Sequence, residues 1–105
     1  MDRVSQLVRL FRERHPSDSF FDQFEASLAI SPLKRNYYNA YERAFAELDA
    51  LSWKSLSDKA LRHAHETRAR QGKGPFFDQL NDAFAYKWLV RRGFTPVSIM
   101  PEPPS

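Results

Sequence analysis

Between Asp2 and Arg14 apolar residues recur at Val4, Leu7, Val8 and Phe11, with Arg3, Arg9, Arg12 and Glu13 mostly off that stripe. Spacing of i, i+3, i+4, i+7 predicts an amphipathic helix. His15-Pro16 breaks it, since the residue before a proline avoids the helical region. Ser19 and Asp22 then form an approximate capping box around Phe20 and Phe21, ahead of Phe24, Ala26 and Leu28, predicting a second, shorter helix. Ser31-Pro32 places a cap before a proline at the first helical position. It opens a third helix, to about Ala50, with the stripe Leu33, Tyr37, Tyr41, Ala44, Leu48 and Leu51, and with Tyr38 and Phe45 on its shoulder. Ser52, Ser55 and Ser57 are alternative caps for a fourth helix, whose face of Trp53, Leu56, Ala60, Ala64 and Thr67 continues to about Arg70. Gly72, Gly74 and Pro75 make the next loop.

The best punctuated stretch is Pro75 to Gly93. A first-turn proline costs no hydrogen bond, and a left-handed glycine ends a helix beside Arg91 and Arg92, which face the negative end of its dipole. At 100° per residue, Phe76, Phe77, Leu80, Ala83, Phe84, Trp88 and Val90 share one broad face, while Asp78, Asn81 and Asp82 point outward and Ala85, Tyr86 and Leu89 fall outside it. The second half is apolar nearly all round, as expected of a central helix covered on several sides. In the other reading the surplus aromatics stay exposed as a docking patch.

Beyond Gly93, Phe94 to Met100 alternates β-branched residues around Pro96 and reads as extended, at best a short edge strand. Residues 101–105 read as a flexible Pro-rich tail, leaving residues 1–100 as a single domain. Phe20-Phe21-Asp22-Gln23 returns as Phe76-Phe77-Asp78-Gln79. Either local convergence on a favourable helix start or a duplicated hairpin accounts for it, and repeat architectures normally need three or more copies.

Composition narrows the class. Of 105 residues 42% are hydrophobic and 14% aromatic, enough for one core. The absence of cysteine excludes disulfides, thiolate catalysis and cysteine-bound zinc. No apolar run approaches the ~20 residues a membrane span requires, and MDRVSQLVRL has no signal-peptide core, so a soluble, cytoplasmic protein is expected. Charge is uneven: residues 52–74 hold six basic and two acidic residues, whereas the chain as a whole has a net charge of +3. On the helical wheel Lys59, Arg62, Arg70 and Lys73 lie opposite the apolar face, with Glu66 among them and Arg68 nearer the core edge. Such a stripe suits phosphates, and it equally suits a solvated helix face whose basic residues sit near the C-terminal end.

Tyr37, Tyr41 and Phe45 recur at helical intervals, with Leu48 continuing the row, which favours packing over base stacking. His63 and His65 diverge by about 200° on a helix, and no convergent ligand set for zinc or di-iron is present. Asp78 and Asp82 stand at i and i+4 with no nucleophile beside them, and solvation of a helix start is the better account. Gly72-Lys73-Gly74 is far shorter than a phosphate-cradling loop.

The stretch FFDQLNDAFAYKWLVRRGFTPVSIMPE, residues 76–102, resembles the opening helix and first strand of restriction-endonuclease-like nucleases. Asp82 stands where that family usually has glutamate, and Gly93-Phe94 where it has its turn. The family's metal-binding aspartate and acidic-x-lysine pair would follow later, and the sequence ends at Ser105 without them. The resemblance therefore implies an inactive or truncated relative and no nuclease activity.

Together these features predict an all-α domain of four or five helices with an extended C-terminal segment. Its expected core is Val4, Leu7, Phe11, Phe21, Phe24, Tyr41, Phe45, Leu48, Trp53, Leu56, Leu80, Phe84 and Trp88. The expected function is non-catalytic protein binding, regulatory or adaptor in kind, through Tyr38, Tyr86, Arg91 and Arg92, residue types that dominate interface hot spots. The alternative is nucleic-acid binding through Lys59, Arg62, Arg68, Arg70 and Lys73. No cofactor, metal or membrane is expected, and self-association is left open.

Overall fold

A computed structural model describes residues 2–64, 74–93 and 99. Among them the chain folds into six helical segments and no strand: α1 (Asp2–Arg14), α2 (Phe24–Ile30), α3 (Pro32–Ala46), α4 (Ala50–Arg62), α5 (Gly74–Leu80) and α6 (Asp82–Arg91). Helices α5 and α6 are one helix interrupted at Asn81, so the fold is the expected all-α domain.

Helix α1 buries its whole predicted stripe, Val4, Leu7, Val8 and Phe11. Its N-terminal end is tied to the C-terminal half of α3. Glu42 accepts from the amides of Arg3 (3.3 Å) and Val4 (2.9 Å), while the Arg3 guanidinium donates to the Phe45 and Leu48 carbonyls. Each helix thereby satisfies orphan backbone groups at an end of the other.

The second helix begins later than its capping box predicted. Residues 20–23 form turns, Phe20 N–H donates to Asp18 (3.0 Å), and Gln23 at the cap makes no side-chain bond. The missing cap is offset by Arg12, which donates to the Phe21 carbonyl and to Glu25 and so holds this turn against α1. At α3 the Ser31-Pro32 start is as expected, with Ser31 Oγ accepting from Lys34 N–H at 3.3 Å. The helix stops at Ala46 rather than Ala50, because Asp49 starts α4 earlier than any of the three serines. Its carboxylate accepts from Ser52 N–H at 2.7 Å. Helix α4 ends at Arg62, short of the expected Arg70, with His63 and Ala64 in a turn. Residues 65–73 lie outside the described part.

Most of the expected core is buried, with Phe11, Phe45 and Leu56 wholly so. Phe84 and Trp88 are the exceptions: both are exposed, and Tyr86, expected outside the buried face, is buried beside Ala83 instead. The cause lies at Asn81. Phe84 N–H bonds back to the Asn81 carbonyl, three residues away (3.0 Å), where a regular α-helix would reach four. In such a turn each residue advances about 120° instead of 100°. Everything after Asn81 is rotated by tens of degrees, carrying Tyr86 inward and Phe84 and Trp88 outward. The α6 end is as expected, with Gly93 left-handed at φ +85°.

The two Phe-Phe-Asp-Gln copies do not occupy equivalent places. Phe20 is exposed and Phe21 buried in a turn, whereas Phe76 is buried and Phe77 half-buried within a helix. They pack against each other, Phe21 on Phe76 at 6.1 Å and Phe20 on Phe77 at 6.0 Å between ring centroids. Shared packing without shared geometry favours local convergence over duplication. Of the expected extended C-terminal segment, Ile99 alone is described; it packs on the core and its N–H donates to Ser52 Oγ (3.2 Å). Residues 101–105, the expected tail, are not described.

Candidate functional site

Helix α3 meets the core through its C-terminal half, where Tyr41, Ala44 and Phe45 are buried. Its first two turns reach past the core, leaving Leu33 and Tyr37 exposed where the periodic stripe predicted burial. Leu51, the last residue of that predicted stripe, is also exposed, since it belongs to the first turn of α4.

Helices α5 and α6 lie along the same side of α3, aligned in the same direction. Phe77 contacts Tyr37 and Tyr41, Phe84 contacts Tyr41, and Arg91 pairs with Glu47 at 3.3 Å. The rotation at Asn81 thus sets Phe84 beside α3 and turns Trp88, one turn further on, to solvent. Ring contacts make a continuous row: Phe20 to Phe77 at 6.0 Å, Phe77 to Tyr37 at 6.1 Å, Tyr37 to Tyr41 at 5.2 Å and Tyr41 to Phe84 at 5.0 Å. One helical turn beyond Phe84 on α6, Trp88 carries the Arg92 guanidinium 4.3 Å from its ring centroid, a cation–π distance. Within this band Phe20 is 43% exposed, Tyr37 48%, Phe84 38% and Trp88 53%.

Tyr41 anchors the band from beneath. Its hydroxyl donates to Asn81 Oδ1 at 2.6 Å, bonding α3 to the helix interruption. Burial, together with the Tyr37 hydroxyl, pushes its pKa well above the ordinary tyrosine value, so it remains a donor. The arrangement supplies large apolar area on rings already held by one another, which lowers the entropy lost when a partner covers them.

The expected contact residues are split by the fold. Tyr86 is buried at 7% exposure, its hydroxyl 3.5 Å from Asp49 Oδ2, so its ring is core rather than surface. Tyr38 is half-buried between Phe24 and Tyr37. Arg91 is exposed but engaged by Glu47, and Arg92 joins the band. Phe20, Tyr37, Phe84 and Trp88 were not among the expected contacts. Asn81-Asp82 in mid-helix was the available signal, since such side chains compete with helical backbone bonding.

Of the basic stripe, Lys59 lies 3.6 Å from Asp82 and Arg62 is exposed on α4, while Arg68, Arg70 and Lys73 fall outside the described residues. Asp78 and Asp82 are divided by the interruption, Asp82 turning to Lys59. Among the described residues no group of three or more His, Asp or Glu is placed to hold a metal ion. No described helix is long and apolar enough to cross a membrane. Comparison of the chain with protein-family profiles, with curated proteins and with solved structures finds no match.

Proposed function

We propose that this chain is a non-catalytic protein-binding domain whose docking face is the aromatic band from Phe20 through Phe77, Tyr37 and Phe84 to Trp88 and Arg92. The observation that carries the reading is Trp88, a large residue more than half exposed, with an arginine stacked on it one helical turn beyond the aromatic row that ends at Phe84. Tryptophan, tyrosine and arginine are the residues whose truncation most often costs an interface its affinity. Contiguous exposed apolar surface of this kind marks interaction sites. Of the expected contact set Arg92 is kept within the band and Arg91 at its rim, while Phe84 and Trp88 take over from the buried Tyr86.

Affinity capture with the wild type, with Phe84→Ala/Trp88→Ala and with Leu51→Ala as an off-face control tests it. Specific partners are expected to be lost with the double variant and kept with the control. Identical recovery with all three would overturn the reading. The charge excess of residues 52–74 supports nucleic-acid binding as a second reading. Saturable binding of labelled DNA or RNA at about 50 mM salt, lost at about 200 mM, is its signature.

A further inference from the structure

A cavity of about 160 Å³ opens where the 20–24 turn, α2 and the start of α3 meet. Phe20, Phe21 and Phe24 supply its aromatic walls, and Gln23, Ser27, Lys34 and Tyr38 its polar lining. A cavity of about 150 Å³ accommodates one benzene ring, so this space matches a single ring or a branched aliphatic group. Its polar lining has unused capacity. Ser27 Oγ donates to the Phe24 carbonyl (2.8 Å) and keeps its acceptor sites. The Lys34 ammonium is paired with no carboxylate among the described residues, and the cavity lining includes no acidic side chain. The Tyr38 hydroxyl donates to no described group. Burial pushes its pKa up to about 12, with Tyr37 adding to the shift, so it stays a proton donor at neutral pH. An aromatic enclosure with a free cation and a free hydroxyl donor is complementary to an apolar group that ends in an anion.

We propose that this cavity is a binding site for a small apolar carboxylate, a single ring or branched alkyl group received by Phe20, Phe21 and Phe24 with its carboxylate bound by Lys34 and Tyr38. The same chemistry is presented by a free organic acid and by the C-terminal residue of a peptide. The site goes beyond the docking band and shares only Phe20 with it.

Two-dimensional NMR of the full chain tests this with phenylacetate, phenylacetamide, and N-acetyl-Ala-Phe with a free or amidated C-terminus. Saturable shifts of backbone amides within residues 20–38 are expected with the two acids, and about tenfold weaker binding with the two amides, the usual scale for a charged hydrogen bond. Lys34→Gln, at an exposed position, should weaken the acids and leave the amides unchanged, and Tyr38→Phe should act in the same direction. Tighter binding of the peptide than of phenylacetate assigns the site to chain termini, and the reverse assigns it to free acids. Absence of saturable shifts, or equal affinity for acid and amide, would overturn the proposal. Trp88→Ala should not alter phenylacetate binding, so failure of the docking face and failure of this pocket are read separately.

Discussion

Two groups of aromatic side chains, similar in size and adjacent in space, meet opposite fates in this fold. Phe11, Phe21 and Phe76 stack edge to face at 4.9 to 6.1 Å and are essentially inaccessible, whereas Phe20, Tyr37 and Phe84, linked through Phe77 and Tyr41, and Trp88 beyond them are reached by solvent. Ring chemistry does not separate them. The inner group lies where α1, the 20–23 turn and α5 converge, so each ring is covered from several directions. The outer group lies on faces of the 20–23 turn, α3 and α6 that no described element fully covers. Burial is thus set by the number of elements that meet at a point, and an aromatic left over at such a junction becomes available surface.

The largest test of that contrast is Phe11→Ala. Removing a ring at 0% exposure leaves a cavity between Phe21 and Phe76. A loss of about 3–5 kcal/mol is expected in chemical denaturation, and a loss below 1 kcal/mol would mean that the inner cluster is not close-packed. Tyr41→Phe probes the link between the groups. It deletes the 2.6 Å bond to Asn81 without creating a void, and should cost about 0.5–1.5 kcal/mol. If the interruption at Asn81 depends on that bond, the Trp88 fluorescence of this variant shifts as well.

A smaller effect attends Glu25, whose hydrogen bond from Arg12 holds its pKa down at about 2. The sign follows from the depression: the stabilisation is complete above the ordinary glutamate value of about 4.3 and is lost as pH falls towards 2. Glu25 is 68% exposed and Arg12 36%, so water screens the pair; the loss should stay below about 1 kcal/mol, and Glu25→Gln should remove this component of the acid dependence. Least of all in stability should be Trp88→Ala, within about 0.5 kcal/mol of wild type by thermal denaturation. A much larger cost there would make Trp88 a structural residue and move it to the inner group.

Legibility from the sequence varied along the chain for definite reasons. In α1 a regular period faces one uniform neighbourhood, so every stripe residue is buried. The Ser31-Pro32 start and the Gly93 end depend on local chemistry, a cap, a proline and a left-handed residue, and they stand where expected. Helix α3 kept its period but not its burial, because periodicity does not reveal how far a helix projects past its neighbours. The stretch from Pro75 failed at one point, the interruption at Asn81, where the rotation exchanged Phe84 and Trp88 for Tyr86 and so rewrote the candidate surface. The cavity beside Lys34 was not legible at all, being made by residues from three segments none of which has an unusual local pattern.

By itself the sequence determined the all-helical class, most of the core and several helix ends, because period, capping and proline or glycine geometry act within a few residues along the chain. Tertiary structure alone decided which aromatic rings are covered, that Glu42 and Arg3 cap one another's helices, that Tyr41 secures the break at Asn81, and that a band and a cavity remain accessible. Those outcomes depend on the rotation and reach of one helix against another, quantities set by packing between residues distant in sequence.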